Sequence, residues 1–527
     1  MDTPQPHQLS RRRPWRAVGA SAALLAVVAI VVAPGAASAS GDWPQFQSNA
    51  AHTGAVSDGV QAPLKEAWHL DVPPGGPDHQ FGLSAPVLAG DTIVVVGPTE
   101  VIGVDLGSGE QRWSAPRDYG PSVAPAVATV DGNDVVVFTE GFGSNPPQTS
   151  TSPSAPTAAS PSSEPSSSPA PSAGPFDSHV AAIDLATQRP LWDPVPLEHV
   201  SRTGVTVDGD SAFVGDNAGN IVAIDIGTGQ IRWTQSAGGY VDTALAVAGG
   251  KVFVSVQGSV STTAAIVALN EGDGSQMWRY EAGRRELVTA PSVAGDAAYA
   301  GFAGSSTSLR AVDVRTGSER WKSRVNTVPA PFGAPAVTAR GIVGIDLDGQ
   351  TYLVDPISGE RVWDFALNDP TARSTPVVSG GQVIVSTNSG RLAALDALSG
   401  ELVWQNVPAF DLLRDAVVTM DLLVAVRGGA HPGLVAFAHD PGGSLVRVAS
   451  PTTTRPARLF GVFFLVAVPL GALLVFAGRS LAARAGSAFS SEQTEVIDEW
   501  ENDDDRVGSG DGQDDHDDVR TRRDEQE

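Results

Sequence analysis

The apolar residues of this chain come in short runs of four to six, such as Val135-Val136-Val137-Phe138, Val180-Ala181-Ala182-Ile183 and Leu434-Val435-Ala436-Phe437. Between them, 57 Gly and 39 Pro fall at regular intervals. Runs of this length bounded by turn formers predict many β-strands joined by tight turns. With 527 residues the chain is long enough to bury a large core, so the pattern predicts one large all-β body and argues against a helical enzyme fold.

Two longer apolar stretches stand apart from the strand pattern. Val18 to Val32 follows Arg11, Arg12, Arg13 and Arg16 and precedes the small-residue run Gly35 to Ser40. These are the charged, apolar and cleavage regions of a secretory signal over residues 1–39, with Ala37-Ser38-Ala39 as the expected cleavage site. An uncleaved anchor is the alternative, and either way the following residues are expected outside the cytoplasm. Leu459 to Gly478 is apolar throughout and bracketed by Arg458 and Arg479. Its length matches the hydrocarbon thickness, it has no polar face, and Pro469 and Gly471 are tolerated in a span, so residues 459–478 are expected to form one transmembrane helix. Residues 479–527 then return to the cytoplasm as an acidic tail too poor in apolar residues to fold alone.

Tryptophan supplies the architecture. Trp192, Trp233, Trp278, Trp321, Trp363 and Trp404 follow one another every 41 to 45 residues, a period that means four-stranded propeller blades. Trp113 precedes Trp192 by 79 residues. The surplus is a segment over residues 144–175 made almost wholly of Ser, Pro, Ala and Thr, expected to be an extended, solvated insertion between the second and third strands of one blade.

Eight residues before each Trp stands Asp105, Asp184, Asp225, Asp313, Asp355 or Asp396, with Asn270 as the exception. A short Asp or Asn side chain closes a turn by accepting bonds from nearby backbone N–H groups. Four residues further on, Gly109, Gly229, Gly274, Gly317, Gly359 and Gly400 supply a residue that tolerates positive φ, and Gln188 alone breaks the series. Each Trp is then expected on the outer strand of its blade, wedged between neighbouring sheets.

This repeat resembles the tryptophan-docking motif of the pyrroloquinoline-quinone-like (PQQ-like) propeller family, which includes the quinoprotein dehydrogenases and BamB-like proteins. Trp43-Pro44-Gln45-Phe46 followed by His52-Thr53-Gly54 looks like the leading segment of such propellers. The resemblance covers roughly residues 43–446 and implies an eight-bladed β-propeller of four-stranded antiparallel blades over residues 41–450, with seven blades as the fallback. Closure follows from two irregularities. Trp68 lies 45 residues before Trp113 with no blade of its own, while after Leu434 to Phe437 the Asp position is Ala438 and the Trp position Val446. The strand around Trp68 is therefore expected to complete the last blade and remove an open edge.

Composition narrows the chemistry. A formal charge of −25 disfavours nucleic acid, whose phosphates need clustered cations. Cysteine is absent, which excludes disulfides, thiolate metal sites, a cysteine nucleophile and a lipidated cysteine. The acidic turns Asp131-Gly132-Asn133-Asp134 and Asp208-Gly209-Asp210 read as hairpins, since neither completes a calcium loop with a distal Glu. The histidines form no close pair, and no nucleophile elbow or phosphate loop occurs. No residue is assigned as catalytic, cofactor-binding or metal-ligating.

The preferred expectation is a non-catalytic, membrane-anchored extracytoplasmic scaffold without a cofactor, whose partners are the membrane and an exported protein or cell-wall component. Two alternatives follow from the resemblance: a membrane-bound dehydrogenase using PQQ with calcium, and a BamB-like factor in envelope protein assembly. Shared fold does not by itself transfer activity.

Overall fold

The computed structural model describes residues 43–72, 82–142, 178–304, 307–323, 333–371, 374–408, 412–429, 431–448 and 452–453. The expected signal, the Ser/Pro-rich insertion, the span at 459–478 and the acidic tail lie outside them. No helix of the described residues is long and apolar enough to cross a membrane.

The described residues form eight antiparallel sheets of four principal strands, in chain order, so the eight-bladed expectation holds and the seven-bladed fallback falls. Blade 3 shows the unit: Thr206–Asp208, Ser211–Gly215, Asn220–Asp225 and Ile231–Ser236 pair successively from the inside outward. The middle strands are apolar without alternation because each sheet is covered on both faces by its neighbours. All five residues of Ser211–Gly215 are buried. The outer strand alternates, and in Ile231–Ser236 the only fully buried residue is Trp233. Two-faced burial is thus what produces the short continuous apolar runs. The core is divided into layers between blades, as where Val94, Val96 and Trp113 of blade 1 meet Val136, Phe138 and Ile183 of blade 2.

Each repeat signature has a visible cause. The Oδ1 of Asp105 accepts from the Ser108 N–H at 2.7 Å, that of Asp225 from Thr228 at 2.9 Å and that of Asp396 from Ser399 at 2.8 Å. Asn270 does the same with Gly272 at 2.9 Å, so the exception in residue type is none in chemistry. Opposite each Trp stands a small residue in most blades: Gly103, Ala223, Ala268, Ala311 and Ala394 pair with Trp113, Trp233, Trp278, Trp321 and Trp404, with a register shift beside each pair. That bulge lets Arg112, Arg232 and Arg320 reach two aspartates apiece, for example Arg320 to Asp296 at 2.6 Å and Asp313 at 2.7 Å. These pairs hold the flanking carboxylates below the usual range, Asp105 to about 2, where the Ser108 hydrogen bonds contribute most.

The ring closes as expected. Leu64–Asp71, carrying Trp68, pairs antiparallel with Gly433–His439 as the outer strand of blade 8. One expectation is corrected: Trp192 is not on a strand. The outer strand of blade 2 is broken into Arg189–Pro190 and Val195–Leu197, with Trp192 between them, because Pro190, Pro194 and Pro196 offer no N–H to a ladder. Residues after blade 8 run back along earlier blades. Val446 and Val448 hydrogen-bond to Val403 and Leu402 of blade 7, and Thr452–Thr453 pairs with Arg361–Ala366 of blade 6.

Candidate functional site at the propeller axis

Residues 43–60 run around the axis and engage every blade, seven of them at the inner strand and blade 8 just past its inner strand. The carbonyls of Trp43, Pro44, Ala50, Ala51, Thr53 and Gly54 accept from Leu88, Val127, Val247, Val293, Val337 and Val378, at 2.6–2.9 Å. Each donor is the second residue of its inner strand. Blade 3 is reached by a side chain that imitates a peptide group: the Gln45 carboxamide accepts from Val207 N at 2.8 Å and donates to Val207 O at 3.0 Å. Blade 8 is reached through Val60 N and Thr419 O at 2.8 Å. Gln47, Ser48 and His52 sit at positive φ, a strained path that persists because eight blades determine it at once. His52 is fully buried, with Nδ1 3.1 Å from Pro291 O. Desolvation lowers its pKa to about 4, so the imidazole is neutral and Nδ1 carries the donated proton.

Above this segment the axis widens into a funnel of about 280 Å³. Phe46 lies at its floor, and its wall takes residues from all eight blades, in seven of them from the stretch just before the inner strand and in the eighth from Asp415 within Leu413–Val418. The space exists because most of these residues are small, among them Ala85, Ala124, Gly204, Ala244, Ala290 and Gly333. A Cβ on Gly333 would stand 2.6 Å from the Ser374 carbonyl, so the close approach there requires glycine.

The wall is asymmetric in chemistry. Blade 4 contributes Asp242 and Thr243, blade 8 contributes Asp415, and no Lys, Arg or His lines the funnel among the described residues. Asp415 is half-buried with a φ of 38°, and burial raises its pKa. The buried hydroxyls of Ser122 and Thr243 have no hydrogen-bond partner. On one side Leu287 and Val288 rise as an apolar lip. The Gln257 carboxamide fixes it by bonding both N and O of Val288 at 2.8 Å. Behind the lip Glu286 and Arg310 form a buried ion pair at 2.9 Å, with the guanidinium 4.1 Å from the Phe302 ring centre.

None of these residues was singled out from sequence except within the leading segment. The described residues hold no cluster of three or more His, Cys, Asp or Glu for a metal. Asp131-Gly132 and Gly209-Asp210 form hairpin turns, separated from Ala124 and Gly204 of the funnel wall by the inner strands Ala126–Val130 and Thr206–Asp208.

Comparison with known proteins gives the same repeat. A family profile described as outer membrane protein assembly factor BamB matches residues 177–330 and 306–454. The BamB of Shewanella oneidensis is 24% identical over 253 residues, which is 43% of this chain and 62% of that protein. The chain spans about half the length of the curated relatives it matches. Among solved structures, BamB from Moraxella catarrhalis superposes with a TM-score of 0.51 at 17% identity, covering 71% of this chain and 99% of that one. A quinohemoprotein alcohol dehydrogenase from Pseudomonas putida HK5 superposes with a TM-score of 0.52 at 12% identity, covering 78% and 82%. At such identities these likenesses speak for the fold alone.

Proposed function

Because the chain belongs to the family described as outer membrane protein assembly factor BamB, we propose that it is a non-catalytic scaffold of the cell envelope that holds exported polypeptides during their assembly. The propeller stands outside the cytoplasm, residues 459–478 tether it to the membrane, and the acidic tail lies on the cytoplasmic side. The observation that carries this reading is the funnel. It is a concave site built by all eight blades on a rigid ring, closed below by residues 43–60, with an apolar lip and a few convergent polar groups, as a binding site requires. Short turns between strands leave the scaffold stiff, which favours holding a partner over closing on a substrate.

The reading is tested with the full chain in its membrane. A photo-crosslinking residue in place of Leu287, 51% exposed on the lip, should capture exported polypeptides. The same residue in place of Ile357, 83% exposed on a turn of blade 6, should not. Equal products from both positions, or none from Leu287, would remove the funnel as the docking site.

A further inference from the structure

We propose that the outer rim of blades 6 and 7 lies against the lipid surface of the membrane, an inference that rests on the membrane-tethered reading. The repeat itself marks these two blades. Two residues after each turn Asp or Asn, blades 1 to 5 carry Gly107, Ala186, Gly227, Gly272 and Arg315, whereas blades 6 and 7 carry Ile357 and Leu398. These two side chains are 83% and 61% exposed. Neither is needed to close its turn. The Oδ1 of Asp355 accepts from Ser358 N and that of Asp396 from Ser399 N, both at 2.8 Å, just as Asp184 and Asp225 do in turns tipped by alanine and glycine.

The residues that follow blade 8 add to the same rim. Leu445, Val446 and Val448 are exposed, and Val446 and Val448 hydrogen-bond along Leu402 and Val403 at the start of the outer strand of blade 7. Single exposed apolar side chains, such as Ile231 and Met277 on blades 3 and 4, are ordinary. Five gathered on the rim of two adjacent blades point to a contact, with protein or with membrane. The course of the chain favours lipid. Thr453 pairs with Trp363 on the outer strand of blade 6, and only residues 454–458 separate it from the apolar stretch Leu459 to Gly478. A linker of that length reaches no more than about 20 Å. So short a tether keeps the rim at high effective concentration beside the bilayer, where even a weak apolar contact persists. Arg447 is paired with Glu401 at 3.7 Å and the chain carries a net charge of −25, so the contact is apolar and needs no anionic headgroup.

The test uses the full chain, which has no cysteine of its own, in phosphatidylcholine nanodiscs. A nitroxide is attached in turn to Ile357→Cys, to Leu398→Cys and to Gly227→Cys, the last being the equivalent tip on blade 3, where a Cβ meets only ordinary contacts. At 357 and 398, collisions with oxygen dissolved in the lipid should rise and collisions with an aqueous nickel chelate should fall, relative to 227. With the label moved to Val446→Cys, the Ile357→Asp/Leu398→Asp pair should return position 446 to the aqueous reagent. Labels at 357 and 398 as open to nickel as the label at 227 overturn the proposal. Shielding from both reagents would put a protein on the rim and overturn it equally, and protection that appears only when anionic lipid is added would overturn its apolar basis. Carbonate extraction of the same membranes separates the two readings. A chain that washes out loses the tether and the rim contact together, whereas a chain that stays but carries aqueous labels loses the rim contact alone.

Discussion

The indole Nε1–H of Trp68, on the outer strand of the last blade, donates to the carbonyl of Leu106 in the first blade at 3.0 Å. The ring of Trp68 also lies against Gly109 of the Leu106 turn. The same bond recurs from Trp192, Trp233, Trp278, Trp321 and Trp363 to the next blade at 2.8–3.1 Å. Trp113 and Trp404 have no such carbonyl among the described residues. Trp113 packs in the layer that holds Leu185, beside the turn where Gln188 replaces glycine, and Trp404 packs in the layer that holds Phe437 of the last blade, whose third strand lacks the aspartate.

Trp68→Ala should therefore act as an opening of the ring. The expected loss is about 3 kcal/mol, from the range for deleting a large aromatic side chain, read by urea unfolding of the full chain in detergent. A loss below about 0.5 kcal/mol, the size of an ordinary surface change, would show that the seam does not depend on this residue.

The turn glycines separate strain from collision. Gly359 has a φ of 68° and a Cβ there would strike the Trp321 ring, whereas Gly132 has a φ of 83° and open space around it. Gly132→Ala should cost about 1 kcal/mol from backbone strain alone, and Gly359→Ala at least about 2 kcal/mol more because the indole must move. Gln188 occupies the equivalent turn at a φ of 57°, so Gln188→Gly should stabilise by up to about 1 kcal/mol. Equal losses at Gly132 and Gly359 in the same unfolding assay would refute the docking account of the turn.

His52 predicts a pH dependence. Its pKa is about 4 when folded and about 6.5 when unfolded. Between those values the unfolded chain binds a proton that the folded chain rejects, so stability rises with pH through this window and is complete above about 6.5. On acidification from pH 7 to pH 4.5 the residue should remove on the order of 2–3 kcal/mol. His52→Asn, which tolerates the positive φ, should flatten the curve by that amount. Identical pH profiles for the two proteins would mean that His52 is not held neutral.

The propeller was legible because its signals are local and repeated. Tryptophan, aspartate and glycine each perform one task within a dozen residues, and even the closing strand could be placed from an unmatched Trp68 and the missing partners at Ala438 and Val446. The broken outer strand of blade 2 was less visible, since the spacing of Trp192 is preserved while Pro190, Pro194 and Pro196 interrupt the ladder around it. The axis could not be read at all. Gln45 acts there as a substitute peptide group toward Val207, 162 residues away, and the funnel wall is one or a few small residues per blade. Asp242 and Asp415 line one cavity only because the ring brings them together.

The path of residues 43–60 also sets an order of events. This stretch is synthesised before any blade, yet its hydrogen bonds are to strands as distant as Val378 and Thr419, so it finds its last partners only after blade 8 has formed. Contacts of such long range are late and slow to assemble. The hub of the wheel is delivered first and fastened last, and until it is seated the inner rims of the blades remain open to water.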